Sequence, residues 1–110
     1  MAYDAALAQR IRDIIGPDPE LTEKKMFGGL AFLIRERLAI TASREGGVLV
    51  PAGPGERQHL LDSTAATVAV MGGREMSGWL RVAAEHVATD DELSPWVELG
   101  IEHARSLPPR

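Results

Sequence analysis

Three histidines, His59, His86 and His103, are the side chains of this chain best suited to move a proton or bind a metal near neutral pH. They lie in three separate segments, and none has a second histidine at i+3 or i+4, the spacing that would set two imidazoles on one helix face. Solvent-facing imidazoles are the reading that this separation supports. Asp90-Asp91-Glu92 is the densest carboxylate run, but it follows Thr89. Thr-x-x-Glu is a helix-start signature, in which the hydroxyl and the carboxylate each satisfy a free amide of the first turn. None of the serines, Ser43, Ser63, Ser77, Ser94 and Ser106, sits in a G-x-S-x-G elbow. Cysteine is absent, which removes thiolate zinc sites, disulfides and cysteine nucleophiles together. No catalytic residue, metal ligand or cofactor is expected.

Two stretches are better suited to binding than to reaction. Lys24-Lys25 precedes Gly28-Gly29, where glycine would let a backbone approach an anion and lysine would supply charge. A phosphate loop, however, needs a strand, a longer glycine loop holding the lysine, and then a helix. A strand-like run follows here. The second stretch, Gly72 to Gly78, places Arg74 in a glycine-rich turn. If the two come together, Lys24, Lys25, Phe27, Gly28 and Gly29 would meet Arg74, Met76 and Gly78 in one recognition surface. The competing reading is two turns packing on each other, because glycine and methionine are common packing devices.

The elements that would position these residues follow from spacing and punctuation. Leu7, Ile11, Ile14 and Ile15 fall on one helical face behind Asp4, and Gly16-Pro17 stops the run, so the first helix is Asp4 to Ile15. Strands are expected at Thr22 to Phe27, Leu30 to Ile34, Leu38 to Ala42 and Val48 to Val50, antiparallel because their connections are short. Leu30 to Ile34 has no polar alternation and should be covered on both faces. A short helix at Glu56 to Asp62 precedes a second hairpin, Thr67 to Met71 and Trp79 to Val82, whose three intervening glycines suggest a bulge or close backbone approach as well as a turn. The last helix starts at the Thr89 capping box and presents Leu93, Trp96, Val97, Ile101 and Ala104 inward, with Pro108-Pro109 ending it. Trp79 and Trp96 are both read as core residues.

The order helix, strands, helix, two strands, helix predicts an α+β fold: a two-layer sandwich with an antiparallel sheet in a single domain over 1–110. The chain has 110 residues, 45% of them hydrophobic, which suits one ordinary core and excludes a disordered chain. Size scaling gives a globule of about 13 Å radius of gyration. No apolar run approaches the ~20 residues of a membrane span, and the start has no signal-peptide pattern, so a cytoplasmic location is expected. A net charge of −4 and only 5% aromatic residues argue against sequence-independent nucleic-acid binding, which rests on basic contacts to phosphate and on exposed stacking faces.

Thr22-Glu23-Lys24-Lys25-Met26-Phe27-Gly28-Gly29 and Gly73-Arg74-Glu75-Met76-Ser77-Gly78-Trp79, with the opening Ala2-Tyr3-Asp4 and the closing Ala104 to Pro108, resemble the TfoX N-terminal domain family. That family is named for a bacterial regulator of competence and DNA uptake. The resemblance implies a secretion-chaperone-like two-layer fold, a role in gene regulation through partner proteins, and no catalytic residue. The leading expectation is thus a non-enzymatic cytoplasmic regulatory or adaptor domain with a protein partner. The alternative is a nucleic-acid or nucleotide-binding module, associated with an RNA-modifying activity supplied elsewhere, that uses Lys24, Lys25, Arg35, Arg37 and Arg74 as phosphate contacts. A homodimer is expected if the apolar runs Leu30 to Ile34 and Leu38 to Ala42 leave a sheet face or edge uncovered.

Overall fold

The computed structural model describes residues 4–26, 28–71 and 73–107, with a Cα radius of gyration of 12.7 Å. Helix α1 (Ala5–Ile15) begins where the Asp4 carboxylate accepts hydrogen bonds from the amides of Ala6 at 2.9 Å and Leu7 at 3.2 Å. It ends at Gly16, whose φ of 71° is open to glycine at little cost. The first four strands are β1 (Leu21–Met26), β2 (Gly29–Ile34), β3 (Arg37–Ala42) and β4 (Val48–Pro51). Helix α2 (Pro54–Ser63) then leads to β5 (Thr67–Met71) and β6 (Arg74–Val82), and a single 3-10 turn at Ala84–His86 leads to α3 (Asp90–Ser106).

All pairings are antiparallel in one six-stranded sheet of order β1-β2-β3-β4-β6-β5. Helix α2 carries the chain past the β6 position to the far edge, where β5 forms first and β6 returns between β5 and β4. The period-two alternation turns Leu30, Phe32, Ile40, Ala42, Val48, Val50, Leu80 and Val82 to one side, against Leu7 and Ile11 of α1 and Leu93 and Val97 of α3. This is the two-layer α+β arrangement that the element order predicts. The β2–β3 register slips by one residue after Phe32. The extra residue on β3 brings Ala39 against Ala104 of α3 and Ile34, as a small second core.

All of β2 is buried, as its unbroken apolar run predicts. Together with β3 it leaves no apolar sheet face uncovered, so the surplus from which a dimer was expected is not at these strands. The second hairpin differs from expectation. Strand β6 starts at Arg74, so residues 74–78 belong to a strand rather than a turn. Val68 opposes Leu80 but Val70 opposes Glu75, which leaves β6 with three more residues than β5 in that interval. Gly78 sits in this bulge: it has a φ of 83°, and its carbonyl accepts the Ala52 amide at 2.9 Å. No helix of the described residues is long and apolar enough to cross a membrane.

Candidate functional site

Strand β1 holds Lys24 and Lys25 in succession, and strand alternation sends them to opposite faces, Lys24 opposite Ala31 and Lys25 opposite Leu30. They do not form one cationic patch. At Gly28, φ is 76°, and an added Cβ would lie 2.5 Å from Cδ of Arg44, whose side chain fills that space. At Gly29, an added Cβ would lie 2.1 Å from the Ala42 carbonyl oxygen. Both glycines therefore answer to close packing at the sheet end that also carries the β3–β4 turn. The Gly73 turn, with Arg74 opposite Met71, lies at the other end, because β6 runs antiparallel to β4 and starts beyond the Pro51–Trp79 pair. The two glycine-rich segments thus do not meet as one surface: two strands, β3 and β4, separate the β1–β2 hairpin from β6. Phe27 and the Met76 side chain lie outside the described residues.

Part of that expected surface does converge. Lys24 of β1 and Gly78 of β6 line one cleft of about 750 Å³, with Met26, Leu33, Leu38 and Trp79 as apolar wall. His103 also reaches it. Trp79 is therefore half-buried at a cleft wall rather than in the core.

A second concavity of about 400 Å³ separates α2 from the N-terminal half of α3. Its walls are Leu60 of α2, Val82 of β6, and Trp96 and Leu99 of α3, while His86, Asp91 and Glu92 supply its charged or titratable groups. Leu93, Val97, Gly100 and Ala104 make the buried face of α3, and Trp96 and Ile101 flank it half-buried. Of the three acidic residues at the start of α3, Asp90 is paired with Arg10 at 2.9 Å. Glu92 closes the capping box, its Oε1 accepting the Thr89 amide at 3.1 Å while Thr89 Oγ1 accepts the Glu92 amide at 3.2 Å. The Asp91 side chain makes no hydrogen bond or ion pair with a described residue. Its backbone carbonyl also lacks the usual i+4 donor, because that position is Pro95, which has no N–H. The groove thus sets the Asp91 carboxylate beside an apolar wall. The sequence held the local half of this signal, Asp91 four residues before Pro95. The wall could not be read, since it needs α2 to approach α3.

The carboxylates with displaced pKa values are tied to arginines that join elements. The Arg12 side chain donates to both carboxylate oxygens of Glu23, at 2.6 and 2.8 Å, and this pairing holds the Glu23 pKa below the ordinary range against a smaller opposing effect of burial. The same guanidinium carbon lies 5.9 Å from the Phe32 ring centroid. Glu20 is bonded by Arg35 and, at 3.1 Å, by Arg105, and its pKa is likewise lowered, chiefly by the Arg35 bond. Arg105 also reaches Asp18 at 2.5 Å, joining the C-terminal end of α3 to the loop before β1. Among the described residues no group of three or more His, Asp or Glu side chains could hold a metal ion.

The signature of the TfoX N-terminal domain matches residues 13–104, which takes in both glycine-rich segments, the whole sheet and most of α3. No curated protein matches the sequence. With the match spanning nearly the whole chain, and with the two-layer antiparallel architecture that the resemblance implied, the chain belongs to the TfoX N-terminal domain family.

Proposed function

We propose that this protein is a non-enzymatic regulatory domain of the competence-regulator kind that acts through protein contacts, and that the α2–α3 groove holds the partner chain. The observation that carries this reading is the pairing of an apolar wall, Leu60, Val82, Trp96 and Leu99, with the Asp91 carboxylate, which has no side-chain partner among the described residues. A lysine or arginine next to an apolar side chain supplies N–H donors to the first residue and buried area to the second. The net charge of −4 favours encounter with such a basic segment. The nucleic-acid reading has less support. Its five cations are divided between the two faces and two ends of the sheet, and Arg35 is engaged by Glu20.

A pull-down from native lysate, with bound proteins identified by mass spectrometry, tests this in four baits: wild type, Asp91→Asn, Leu99→Asp, and a Lys24/Lys25/Arg74 triple alanine. A nuclease-resistant protein partner retained by the triple variant and lost with the two groove variants is the expected result. Recovery abolished by nuclease, or lost only in the triple variant, would sink the proposal.

A further inference from the structure

The sheet parts where β4 ends in a proline. The Ser43 amide donates to the Gly47 carbonyl at 3.0 Å, so the hydrogen-bonded rungs of the β3–β4 ladder continue at Thr41–Leu49 and would next fall at Ala39–Pro51. Pro51 has no N–H to give, and the one-residue bulge of β3 falls at the same level. Pairing stops there: β3 begins at Arg37 and β4 runs to Pro51, yet the two are in register only at Thr41–Leu49 and Ala42–Val48. The cleft of about 750 Å³ lies across this parting, with Leu38 of β3 on one wall and Pro51 and Trp79 on the other. Its volume suits a small organic molecule.

What such a molecule must carry follows from the walls. Met26, Leu33, Leu38 and Trp79 are apolar, and the half-buried Trp79 ring offers a flat partner a stacking surface. The strand register sets Thr22, Leu33 and Leu38 in one row, and Lys24, opposite Ala31, in the next row of the same face. Lys24 is exposed, and its ammonium has no partner among the described residues. The other charges at the cleft differ. Glu23 is held by Arg12, and Arg37 has an interaction of its own. Glu36 sits in the β2–β3 turn, across the Thr22–Leu33–Leu38 row from Lys24, and repels an anion at that end. We infer that this cleft binds a small aromatic carboxylate, its ring against Trp79 and the apolar row and its carboxylate at Lys24. The ammonium donates a charge-assisted hydrogen bond to that carboxylate. The site does not depend on the α2–α3 groove, which has Trp96 in its wall and Asp91 as its open charge.

The chain's two tryptophans stand one in each cavity, which makes the test direct. In a nitrogen–proton correlation spectrum, the Trp79 indole N–H signal, assigned from Trp79→Phe, is followed as phenylpropanoate or its uncharged amide, phenylpropanamide, is added. The acid is expected to shift the Trp79 signal saturably and leave the Trp96 signal in place. The amide should bind about three- to fivefold more weakly, as suits an exposed ion pair. Lys24→Gln, at an exposed strand position, should bring the acid to the amide's affinity and leave amide binding unchanged. A Trp79 signal indifferent to the acid, a shift of Trp96 in its place, equal affinity for acid and amide, or wild-type affinity for the acid in Lys24→Gln would each overturn the inference.

Discussion

Gly100 of α3 lies directly on the backbone of Ala39 in β3: a Cβ built at Gly100 would come 1.9 Å from the Ala39 carbonyl oxygen and 2.8 Å from its carbonyl carbon. The contact falls where the one-residue bulge sits in β3, so the helix that carries the groove wall is seated on the sheet through a glycine.

Gly100→Ala sets two effects against each other. Alanine favours a helix interior by about 1 kcal/mol over glycine. Overpacking against a backbone atom costs about 1 to 3 kcal/mol, and a 1.9 Å approach to a carbonyl oxygen belongs at the upper end of that span. A net loss of about 1 to 2 kcal/mol is expected, read as a lower denaturant midpoint. A variant as stable as wild type would show that α3 does not pack this closely on β3.

Helix ends were legible in the sequence because their chemistry is local. Asp4 and the Thr89/Glu92 box lie beside the amides they satisfy, and the structure uses them as the spacing predicts. Interior strands were legible from their apolar runs. The stretch from Gly72 to Gly78 was only half legible, since dense glycine signals a turn and a bulge equally. What makes it a bulged strand is that Arg74 and Glu75 pair with Met71 and Val70 of β5 while Trp79 to Val82 pair with the distant β4, with the Gly78 carbonyl between them accepting the Ala52 amide. The expected recognition surface comes together only in part, for a related reason. Adjacency in sequence suggested that Lys24 and Lys25 act together, whereas strand alternation parts them. Trp96 looks like core at helical spacing, and it is a groove wall because α2 leaves a gap of about 400 Å³ beside it.

Acid should weaken the domain through Glu23. Its folded pKa lies below its unfolded value because Arg12 favours the carboxylate, so the pairing contributes fully above the unfolded pKa and is lost as pH falls through the folded one. The loss therefore begins below about pH 4.3, the ordinary glutamate value. Glu23→Gln should be less stable than wild type at pH 7 by no more than about 1 kcal/mol, since the pair is part-exposed, and the gap should close towards pH 3. Denaturant melts at several pH values give both curves, and a gap that persists undiminished in acid would exclude the ion pair as its cause.

Thr89→Ala removes a hydroxyl that caps the Glu92 amide and also donates to the Glu92 carboxylate. Loss of such a cap costs about 0.5 to 2 kcal/mol. The expected fall in denaturant midpoint should be largely absent in Thr89→Ser, which keeps the oxygen. Equal destabilisation by both substitutions would assign the effect to the lost methyl group instead.

Thr41 presents the opposite case, a polar group whose removal should help. It lies in the sheet interior opposite Ala31 on β2 and Leu49 on β4, and it is 1% exposed. Its backbone is served by the ladder, but its Oγ1 is buried without a hydrogen-bond partner among the described residues. A hydroxyl taken out of water and left unpaired costs about 1 to 3 kcal/mol. Valine differs from threonine by a methyl in place of that hydroxyl and suits a strand equally well, so the substitution keeps the volume and removes the penalty. Thr41→Val is expected to raise stability by about 1 kcal/mol or more, seen as a higher denaturant midpoint with an unchanged slope. A loss of stability would mean that the hydroxyl is hydrogen-bonded in solution, and a buried water beside Ala31 and Leu49 would then have to be sought.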